Sequence, residues 1–312
     1  MSRDMGKAAI QRMKPAKLRP GDAVRLVSPA STPDKDGVMH SIRLLESLGL
    51  RVELGRHVFD RLGYLAGRDV DRQADLNEAL RDPEVRAIIA TRGGKGAYRI
   101  ADGLDFAAMR ADPKPLVGFS EVTILHLALW HHAGVPGIHG ACWDTDRFGE
   151  ESAQSFKRSL LSAEPITVCS KPNETTAALT SHGRASGVLL GGNLDMIAAA
   201  AGWVLPRLAG AILLIEDVEK GLGHIDRHLT RLLKAGCLDG IRGIAVGQFV
   251  GFNESQGWSV VDVLRDRLFP LGVPILGGLP LGHGPDAVAI PVGTKAVLDA
   301  DQGTLTVEPA VQ

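Results

Sequence analysis

Short apolar segments alternate with segments of helical periodicity throughout the first half of the chain. The segments 23–27 and 85–91 have the character of strands, and the segments 37–48 and 71–80 have that of helices. Alternation of this kind favours a parallel sheet with helices on both faces. Sites in such sheets lie beyond the carboxyl ends of the strands, so we expect the chemistry in the loops that follow them.

The stretch 115–123 passes from a short apolar run into a helical pattern at Ser120. The helical spacing continues to residue 132, and Gly134 is placed to end the helix. A serine at this corner lies near a helix N-terminus, where unpaired N–H groups and the dipole favour a developing oxyanion. Capping the helix is the commoner role for such a serine, and Val122 replaces the second glycine of a complete G-x-S-x-G elbow. This stretch alone leaves a nucleophile and a cap both open.

The glycine-rich loop 92–96, Arg-Gly-Gly-Lys-Gly, follows another predicted strand. It does not match a Walker loop, in which the lysine is followed by serine or threonine. Glycines at a strand end also allow backbone N–H groups to approach a substrate oxygen, as an oxyanion hole requires. A plain tight turn is the alternative, and the sequence does not decide between them.

Two residues in the second half could act with Ser120. Glu216 ends the apolar run 211–215, where a carboxylate can orient an imidazole, although the acids beside it make a capping or solvated role possible. His283 stands between two glycines in a proline-bounded loop, which suits a general base. The order serine, acid, histidine does not decide the question, because triads occur in several orders.

Other histidines offer competing sites. His224 and His228 are four residues apart, a spacing that can bind a metal, but no glutamate follows the first histidine and no third ligand is evident. His139 and Cys142 are too close in the chain to favour a nucleophile–base couple. We therefore expect neither a metal nor a cofactor.

Composition narrows the classes of partner. The 35 basic residues nearly balance the 36 acidic ones, and only 4% of residues are aromatic, so neither a nucleic acid nor a membrane is indicated. The three cysteines are far apart, which favours a reducing compartment, and no apolar run reaches the length of a membrane span. The sequence thus predicts a cytoplasmic protein.

The chain is long enough for two domains. We predict a flexible arm over residues 1–16, an α/β domain carrying the serine over 17–150, and a polar, irregular linker over 151–182. A C-terminal domain over 183–312 would carry the acid and the histidine, with short strands and turns from residue 273 onward.

Taken in order, the motifs resemble those of the LD-carboxypeptidases (muramoyl-tetrapeptide carboxypeptidases) and the related microcin C self-immunity peptidases. The resemblance covers nearly the whole chain after the arm. The motifs are Pro20-Gly21-Asp22, Ser28-Pro29-Ala30-Ser31, Leu65-Ala66-Gly67, Arg72, Asp75-Leu76, Arg92-Gly93-Gly94, Gly118-Phe119-Ser120-Glu121, His139-Gly140, Gly191-Gly192-Asn193-Leu194, Ile215-Glu216-Asp217, Ile225-Asp226-Arg227 and Gly282-His283-Gly284.

The resemblance implies a serine peptidase with Ser120 as nucleophile, Glu216 as orienting acid and His283 as base. It also implies an oxyanion hole from the backbone N–H groups of Gly94 and Glu121. The implied fold is α/β: an N-terminal parallel-sheet domain of class I glutamine amidotransferase-like type and a smaller C-terminal α/β domain of β-rich character. Family members form homodimers, need no metal, and remove the terminal D-alanine from cytoplasmic murein tetrapeptides during peptidoglycan recycling.

Several positions depart from the family pattern and bear on the substrate. The family usually has tyrosine where Lys95 stands, aspartate where Glu121 stands, and threonine where Trp203 stands. From position alone, Arg92 or Lys95 could bind a substrate carboxylate.

Two alternatives to the murein carboxypeptidase follow from the same resemblance. Trp143, in the loop after His139, keeps open a microcin C immunity-type peptidase, which cleaves an amide between an acidic residue and a nucleotide. A non-catalytic binder of peptidoglycan fragments or nucleotides on the same scaffold is the other alternative.

Overall fold

The computed structural model describes residues 12–142 and 148–312, and within them the strands form two sheets. The first sheet contains β1 (Ala23–Val27), β2 (Arg51–Leu54), β3 (Val85–Ala90), β4 (Leu116–Gly118), β5 (Gly137–His139) and β11 (Ile290–Val292). Their order is β11-β5-β4-β3-β1-β2, and every neighbouring pair except β11–β5 is parallel. The predicted parallel sheet in the first half is confirmed.

Helices connect the parallel strands of the first sheet, as the alternation predicted. They are α1 (Lys35–Ser47), α2 (Asp69–Arg81), α3 (Phe106–Ala111) and α4 (Thr123–Ala133). The Asp34 carboxylate accepts a hydrogen bond from the Gly37 N–H at 2.6 Å and so caps the start of α1. Gly134 ends α4 with φ +71°, a left-handed conformation that favours glycine.

The second sheet mixes parallel and antiparallel strands. It contains β6 (Ile166–Cys169), β7 (Arg184–Asn193), β8 (Ala211–Val218), β9 (Gly243–Val250), β10 (Ile275–Leu276), β12 (Lys295–Asp299) and β13 (Thr304–Val307). The order is β10-β9-β8-β7-β12-β13-β6; the strands from β10 to β7 are parallel, and those from β7 to β6 antiparallel. Helices α6 (Leu194–Ala200), α7 (Leu222–Lys234) and α8 (Val260–Leu268) accompany the parallel half.

The segment 151–182 is more regular than its polar composition suggested. It contains most of helix α5 (Glu150–Leu161), strand β6 and a 3-10 turn over Thr175–Leu179. Phe156 and Leu160 of α5 are buried in the core beside the first sheet and Leu161 packs against it, although most other residues of the helix are polar. The expectation of irregular chain was therefore wrong, because one narrow apolar face is enough to hold this helix in place.

The start of the described chain lies against its end. The Lys17 N–H donates to the Gln312 carbonyl at 2.9 Å, and the Gln312 N–H donates to the Pro15 carbonyl at 2.9 Å. The last residues of the predicted arm are thus bound to the body, and residues 1–11 lie outside the described part of the chain. Among the described residues, no helix has both the length and the apolar character to cross a membrane.

Candidate active site

Ser120 lies at a strained corner between β4 and α4. It opens a 3-10 turn, Ser120–Val122, and its φ is +60°, an unusual value for a residue other than glycine. Its side chain caps neither the turn nor α4, so the capping interpretation of this serine is wrong. Among the described residues its hydroxyl has no hydrogen-bonded partner. Strain of this kind, costing about 1–3 kcal/mol, concentrates at functional sites.

Glu216 and His283 are joined by a hydrogen bond. Glu216 is fully buried near the end of β8, where the register with β9 shifts between Ile215 and Asp217. The His283 Nδ1 donates to the Glu216 Oε2 at 2.7 Å. A Cβ added at Gly282, whose φ is +134°, would lie 2.9 Å from that same oxygen. Only glycine therefore lets the histidine loop come this close to the carboxylate.

A cavity of about 510 Å³ brings these residues together. Ser120 and His283 both line it, and Glu216 lies behind His283, on the far side of the ring from the free Nε2. The Phe119 ring packs against His283 with 4.8 Å between ring centroids. Three residues that are 67 to 163 positions apart in the chain thus meet at one cavity.

The electrostatics of the histidine–glutamate pair suit a proton acceptor. Burial raises the pKa of Glu216, and the hydrogen bond from His283 acts in the opposite direction. Burial lowers the pKa of His283, but the hydrogen bond to Glu216 and its charge outweigh burial, so the pKa of His283 is raised above 6.5. A carboxylate behind the ring therefore stabilises the imidazolium that forms when His283 takes a proton.

The loop 92–96 is held against Ser120. The Gly96 N–H donates to the Glu121 Oε1 at 2.7 Å, and the Lys95 N–H donates to the Ser31 Oγ at 3.0 Å. A Cβ added at Gly93 would lie 2.9 Å from the Ser120 Cβ, so this approach requires glycine. The glycine-rich loop is thus a close neighbour of the serine.

Two backbone donors beside the serine are left unused. Within the described part of the chain, the N–H groups of Gly94 and Glu121 donate no hydrogen bond to protein atoms, and both residues line the cavity. Unused backbone donors at a cavity are the groups from which an oxyanion hole is built. The buried Glu121 side chain, whose pKa burial raises, fixes the loop that carries one of them.

Three cationic side chains line the cavity, and their partners differ. The Lys220 ammonium is paired with Asp195 and lies 3.4 Å from the Asp217 Oδ1. Arg92 makes only a 3.4 Å contact with the Thr32 carbonyl, and Lys95 has no ion pair among the described residues. Arg92 and Lys95 are thus the two cavity-lining cations without an ion pair among the described residues, whereas Trp143 lies outside those residues.

The Lys220–Asp195 pair was not predicted from the sequence, and its neighbour Asn193 was named there only as part of the motif Gly191-Gly192-Asn193-Leu194. The Asn193 amide donates to the Asp217 Oδ1 at 3.1 Å, and Asn193 is opposite Glu216 in the parallel β7–β8 register. The signal was present in the two adjacent strands, of which one ends in Gly-Gly-Asn and the other in Glu-Asp-Val. Polar residues at the carboxyl ends of two parallel strands belong to one site when the strands are neighbours in the sheet. Which strands are neighbours is known only from the structure.

The competing histidines contribute little to this site. The rings of His224 and His228 are 6.5 Å apart, and His228 faces Asp195 with 3.6 Å between Nδ1 and Oδ1. Within residues 12–142 and 148–312 they join no group of three possible metal ligands. Burial lowers the pKa of His139 to about 3, so this ring is neutral and packs under Phe119.

A second group of possible metal ligands lies away from the cavity. His57, Asp60 and Asp71 come together at the surface of the first half. The Asp71 carboxylate is already held by two hydrogen bonds from Arg68, at 2.7 and 2.8 Å. The two hydrogen bonds from Arg68 explain why the Asp71 carboxylate lies in this group.

The chain is similar to known proteins in both sequence and structure. The family model for the LD-carboxypeptidase N-terminal domain matches residues 24–140, and that for the C-terminal domain matches residues 186–298. A "Probable murein peptide carboxypeptidase" of Bacillus subtilis is 35% identical over 96% of this chain and 95% of its own. The murein tetrapeptide carboxypeptidase of Pseudomonas aeruginosa is 33% identical over 89% of this chain and 94% of its own.

Solved structures share the whole architecture. The muramoyltetrapeptide carboxypeptidase of Oxalobacter formigenes superimposes with a TM-score of 0.81 at 28% identity, over 93% of this chain and 100% of its own. The microcin C7 self-immunity protein bound to aspartyl sulfamoyl adenosine gives a TM-score of 0.83 at 23% identity, over 96% and 100% of the two chains, which is a likeness of fold.

The fold and these matches define a peptidase, a hydrolase of peptide bonds built on two α/β sheets. The chain belongs to the LD-carboxypeptidase family.

Proposed function

We propose that this peptidase removes the terminal D-alanine from murein tetrapeptides in the cytoplasm, during peptidoglycan recycling. The proposal rests mainly on one observation, the hydrogen-bonded His283–Glu216 pair that shares a cavity with the strained Ser120. The relatives named for murein peptides support the choice of substrate. A homodimer, and a class I glutamine amidotransferase-like classification of the first sheet, are part of the same proposal.

The proposed reaction uses one acyl-enzyme. His283 takes the proton of the Ser120 hydroxyl through Nε2 while Glu216 holds Nδ1, and the serine oxygen attacks the carbonyl before the D-alanine. The N–H groups of Gly94 and Glu121 bind the oxyanion. Collapse of the tetrahedral intermediate breaks the amide bond, and His283 returns the proton to the amine of the departing D-alanine. Water then hydrolyses the ester by the same steps, with His283 again as base.

Incubation with a synthetic murein tetrapeptide, followed by mass spectrometry, tests the substrate. Loss of one alanine from the carboxyl end supports the proposal, and an unchanged tetrapeptide contradicts it. Aspartyl sulfamoyl adenosine, the ligand of a structural neighbour, tests the alternative of a microcin-type peptidase. A non-catalytic binder would cleave neither compound and would leave Ser120 unlabelled by a fluorophosphonate probe.

Arg92 and Lys95 are proposed to bind the terminal carboxylate of the substrate. Because a charge-assisted contact contributes about 1.5–3 kcal/mol, Lys95→Met or Arg92→Met should raise KM by about tenfold or more. The same variants should act normally on a tetrapeptide whose carboxyl end is an amide. Steady-state kinetics with both substrates checks this, with Lys234→Met, on the exposed end of α7, as control. An equal effect on acid and amide would contradict the assignment.

Glu121 is proposed to position the oxyanion loop through its bond to the Gly96 N–H. Glu121→Ala should lower kcat about 100-fold with little change in KM, since an oxyanion donor acts mainly in the transition state. Glu121→Gln keeps an oxygen acceptor and should stay close to wild type. Steady-state kinetics on all three proteins separates these outcomes; full activity of the alanine variant would mean that the loop is held in another way.

The raised pKa of His283 predicts the acid limb of the pH profile. The base must be neutral to accept the serine proton, so activity is lost as the pH falls through the pKa of His283. Since that pKa is above the ordinary 6.5, the midpoint of the acid limb of kcat/KM should lie above pH 6.5. Initial rates in constant-ionic-strength buffers measure it, and a midpoint at or below 6.5 would argue against His283 as the base.

A further inference from the structure

The loop that carries His283 is held on both sides by Gln248. Gln248 lies near the end of β9 and is only 2% exposed. Its backbone N–H donates to the Leu281 carbonyl at 2.8 Å, two residues before the histidine. Its side-chain Oε1 accepts from the Gly284 N–H at 2.8 Å, and its Nε2 donates to the Pro285 carbonyl at 3.0 Å. One buried glutamine thus fixes the backbone before and after His283.

Glu174 sets the orientation of the Gln248 amide. The Gln248 Nε2 also donates to the Glu174 Oε1 at 2.7 Å. Because an ionised carboxylate accepts hydrogen bonds and does not donate them, the nitrogen of the amide faces Glu174 and the oxygen faces Gly284. Thr176, two residues after Glu174, donates to the Gly247 carbonyl at 2.9 Å. The carboxylate is therefore held beside β9, the strand that carries the glutamine.

The contact between Gln248 and the histidine loop requires glycine at position 284. A Cβ added at Gly284 would lie 2.5 Å from the Gln248 Nε2 and 2.6 Å from its Cδ. Gly282, on the other side of His283, makes the corresponding approach to Glu216. The two glycines therefore allow two different contacts. Gly282 admits the carboxylate that binds the ring, and Gly284 admits the amide that binds the loop backbone.

Gln248 can affect the site only through this loop, since it is not among the described residues that line the active-site cavity. The Glu216 hydrogen bond fixes one ring atom, Nδ1, but the position of Nε2 also depends on where the loop places the backbone. A catalytic group has to be held within about 0.5 Å of its productive position. We propose that Gln248, oriented by Glu174, positions His283 to take the proton of Ser120. This inference rests on the proposed function, in which His283 is the base.

Gln248→Leu is the direct test, because leucine fills much of the buried space and removes all three hydrogen bonds of the amide. It should lower kcat for the tetrapeptide about 100-fold with little change in KM, the loss expected when a reacting group is displaced by about 1 Å. The rate of fluorophosphonate labelling of Ser120 should fall in parallel, since labelling needs the same base and no peptide.

Glu174 variants test the orienting carboxylate without a change in the core, because Glu174 is only partly buried. Glu174→Ala removes the acceptor and should lower kcat and the labelling rate about tenfold, the effect of one hydrogen bond to a charged group. Glu174→Gln keeps an oxygen facing the Gln248 amide and should restore both. Gln154→Leu is the matched control: Gln154 makes the same kind of bond, to the Glu150 Oε1 at 2.8 Å, on the exposed face of α5. It should keep wild-type values.

The pH profile separates positioning from a general loss of structure. A displaced loop weakens the contact of His283 with Glu216, whose hydrogen bond and charge raise the pKa of the histidine. The acid limb of kcat/KM should therefore move to lower pH in Gln248→Leu. The other titratable groups that act on the ring are Asp217, Lys220 and His139, and they are the same in every variant.

Proton NMR observes the histidine without any reaction. The Nδ1–H of His283, hydrogen-bonded to a carboxylate, should give a resonance at low field that is absent in His283→Gln. This resonance should shift or broaden in Gln248→Leu and in Glu174→Ala, and it should stay in place in Gln154→Leu.

Unchanged kcat, labelling rate and acid limb in a folded Gln248→Leu protein would overturn the proposal. If that variant does not fold, the same three results in Glu174→Ala decide the question. Wild-type protein that neither cleaves the tetrapeptide nor reacts with the fluorophosphonate would contradict the proposed function instead. The His283 resonance then tests the positioning alone: a shift in the variants supports it, and an unmoved resonance contradicts it.

Discussion

Replacing Ser120 by alanine should lower kcat by about 10⁴-fold or more, the loss expected when a serine nucleophile is removed from an intact site. The physical reason is that no other hydroxyl is held on the strained corner between β4 and α4. The backbone donors of Gly94 and Glu121 remain, so substrate affinity should change little. Turnover of the tetrapeptide, followed by release of D-alanine, measures the loss.

Ser47→Ala is a suitable control, because Ser47 is exposed on α1 and distant in the fold from the cavity. It should retain wild-type kinetics. Circular dichroism and thermal unfolding should show that Ser120→Ala is folded, because alanine keeps the Cβ and therefore leaves the backbone strain at φ +60° unchanged. A folded Ser120→Ala protein with full activity would exclude the serine mechanism, as would fluorophosphonate labelling that persists in this variant.

Replacing Glu216 by glutamine should cost about 10³- to 10⁴-fold in kcat. The amide is nearly the same size, so the buried position stays filled, but the negative charge behind His283 disappears. The imidazolium formed during the reaction then loses its stabilising partner, and the ring can adopt the wrong tautomer. Since the Glu216 hydrogen bond and charge raise the pKa of His283, the acid limb of the pH profile should also move to lower pH.

The shift of the acid limb distinguishes an orienting acid from a purely structural one. A variant that merely loosened the fold would lose activity without moving the pKa of the base. Glu46→Gln, an exposed substitution on α1, should change neither kcat nor the pH profile. An active Glu216→Gln enzyme with an unmoved acid limb would remove Glu216 from the proposed mechanism.

Local patterns predicted the parts of the fold that depend on short stretches of chain. Alternating strands and helices indicated the parallel sheet, and the Gly-Phe-Ser corner marked the position of Ser120. The glycines and prolines around His283 predicted a histidine on a rigid loop, and the structure explains Gly282 by its close approach to Glu216. These features have local causes, namely backbone conformation and periodicity, and the sequence records such causes directly.

Other features depend on contacts that no local pattern contains. Lys220 and Asp195 meet only because β7 and β8 are parallel neighbours in a register that places Asn193 opposite Glu216. Helix α5 was missed because its apolar face is narrow. Contacts between segments that are far apart in the chain decide the Lys220–Asp195 pair and hold the narrow apolar face of α5, and one sequence does not reveal such contacts.

The position of strand β11 in the chain determines when the first sheet can be completed during synthesis. Residues 290–292 add to the edge of the sheet that carries Ser120, beside β5, which was synthesised some 150 residues earlier. Until they leave the ribosome, that edge has no partner and exposes unpaired backbone groups. His283 emerges only seven residues before this strand. The proposed nucleophile and its proposed base can therefore meet only after the segment from His283 to β11 has been synthesised.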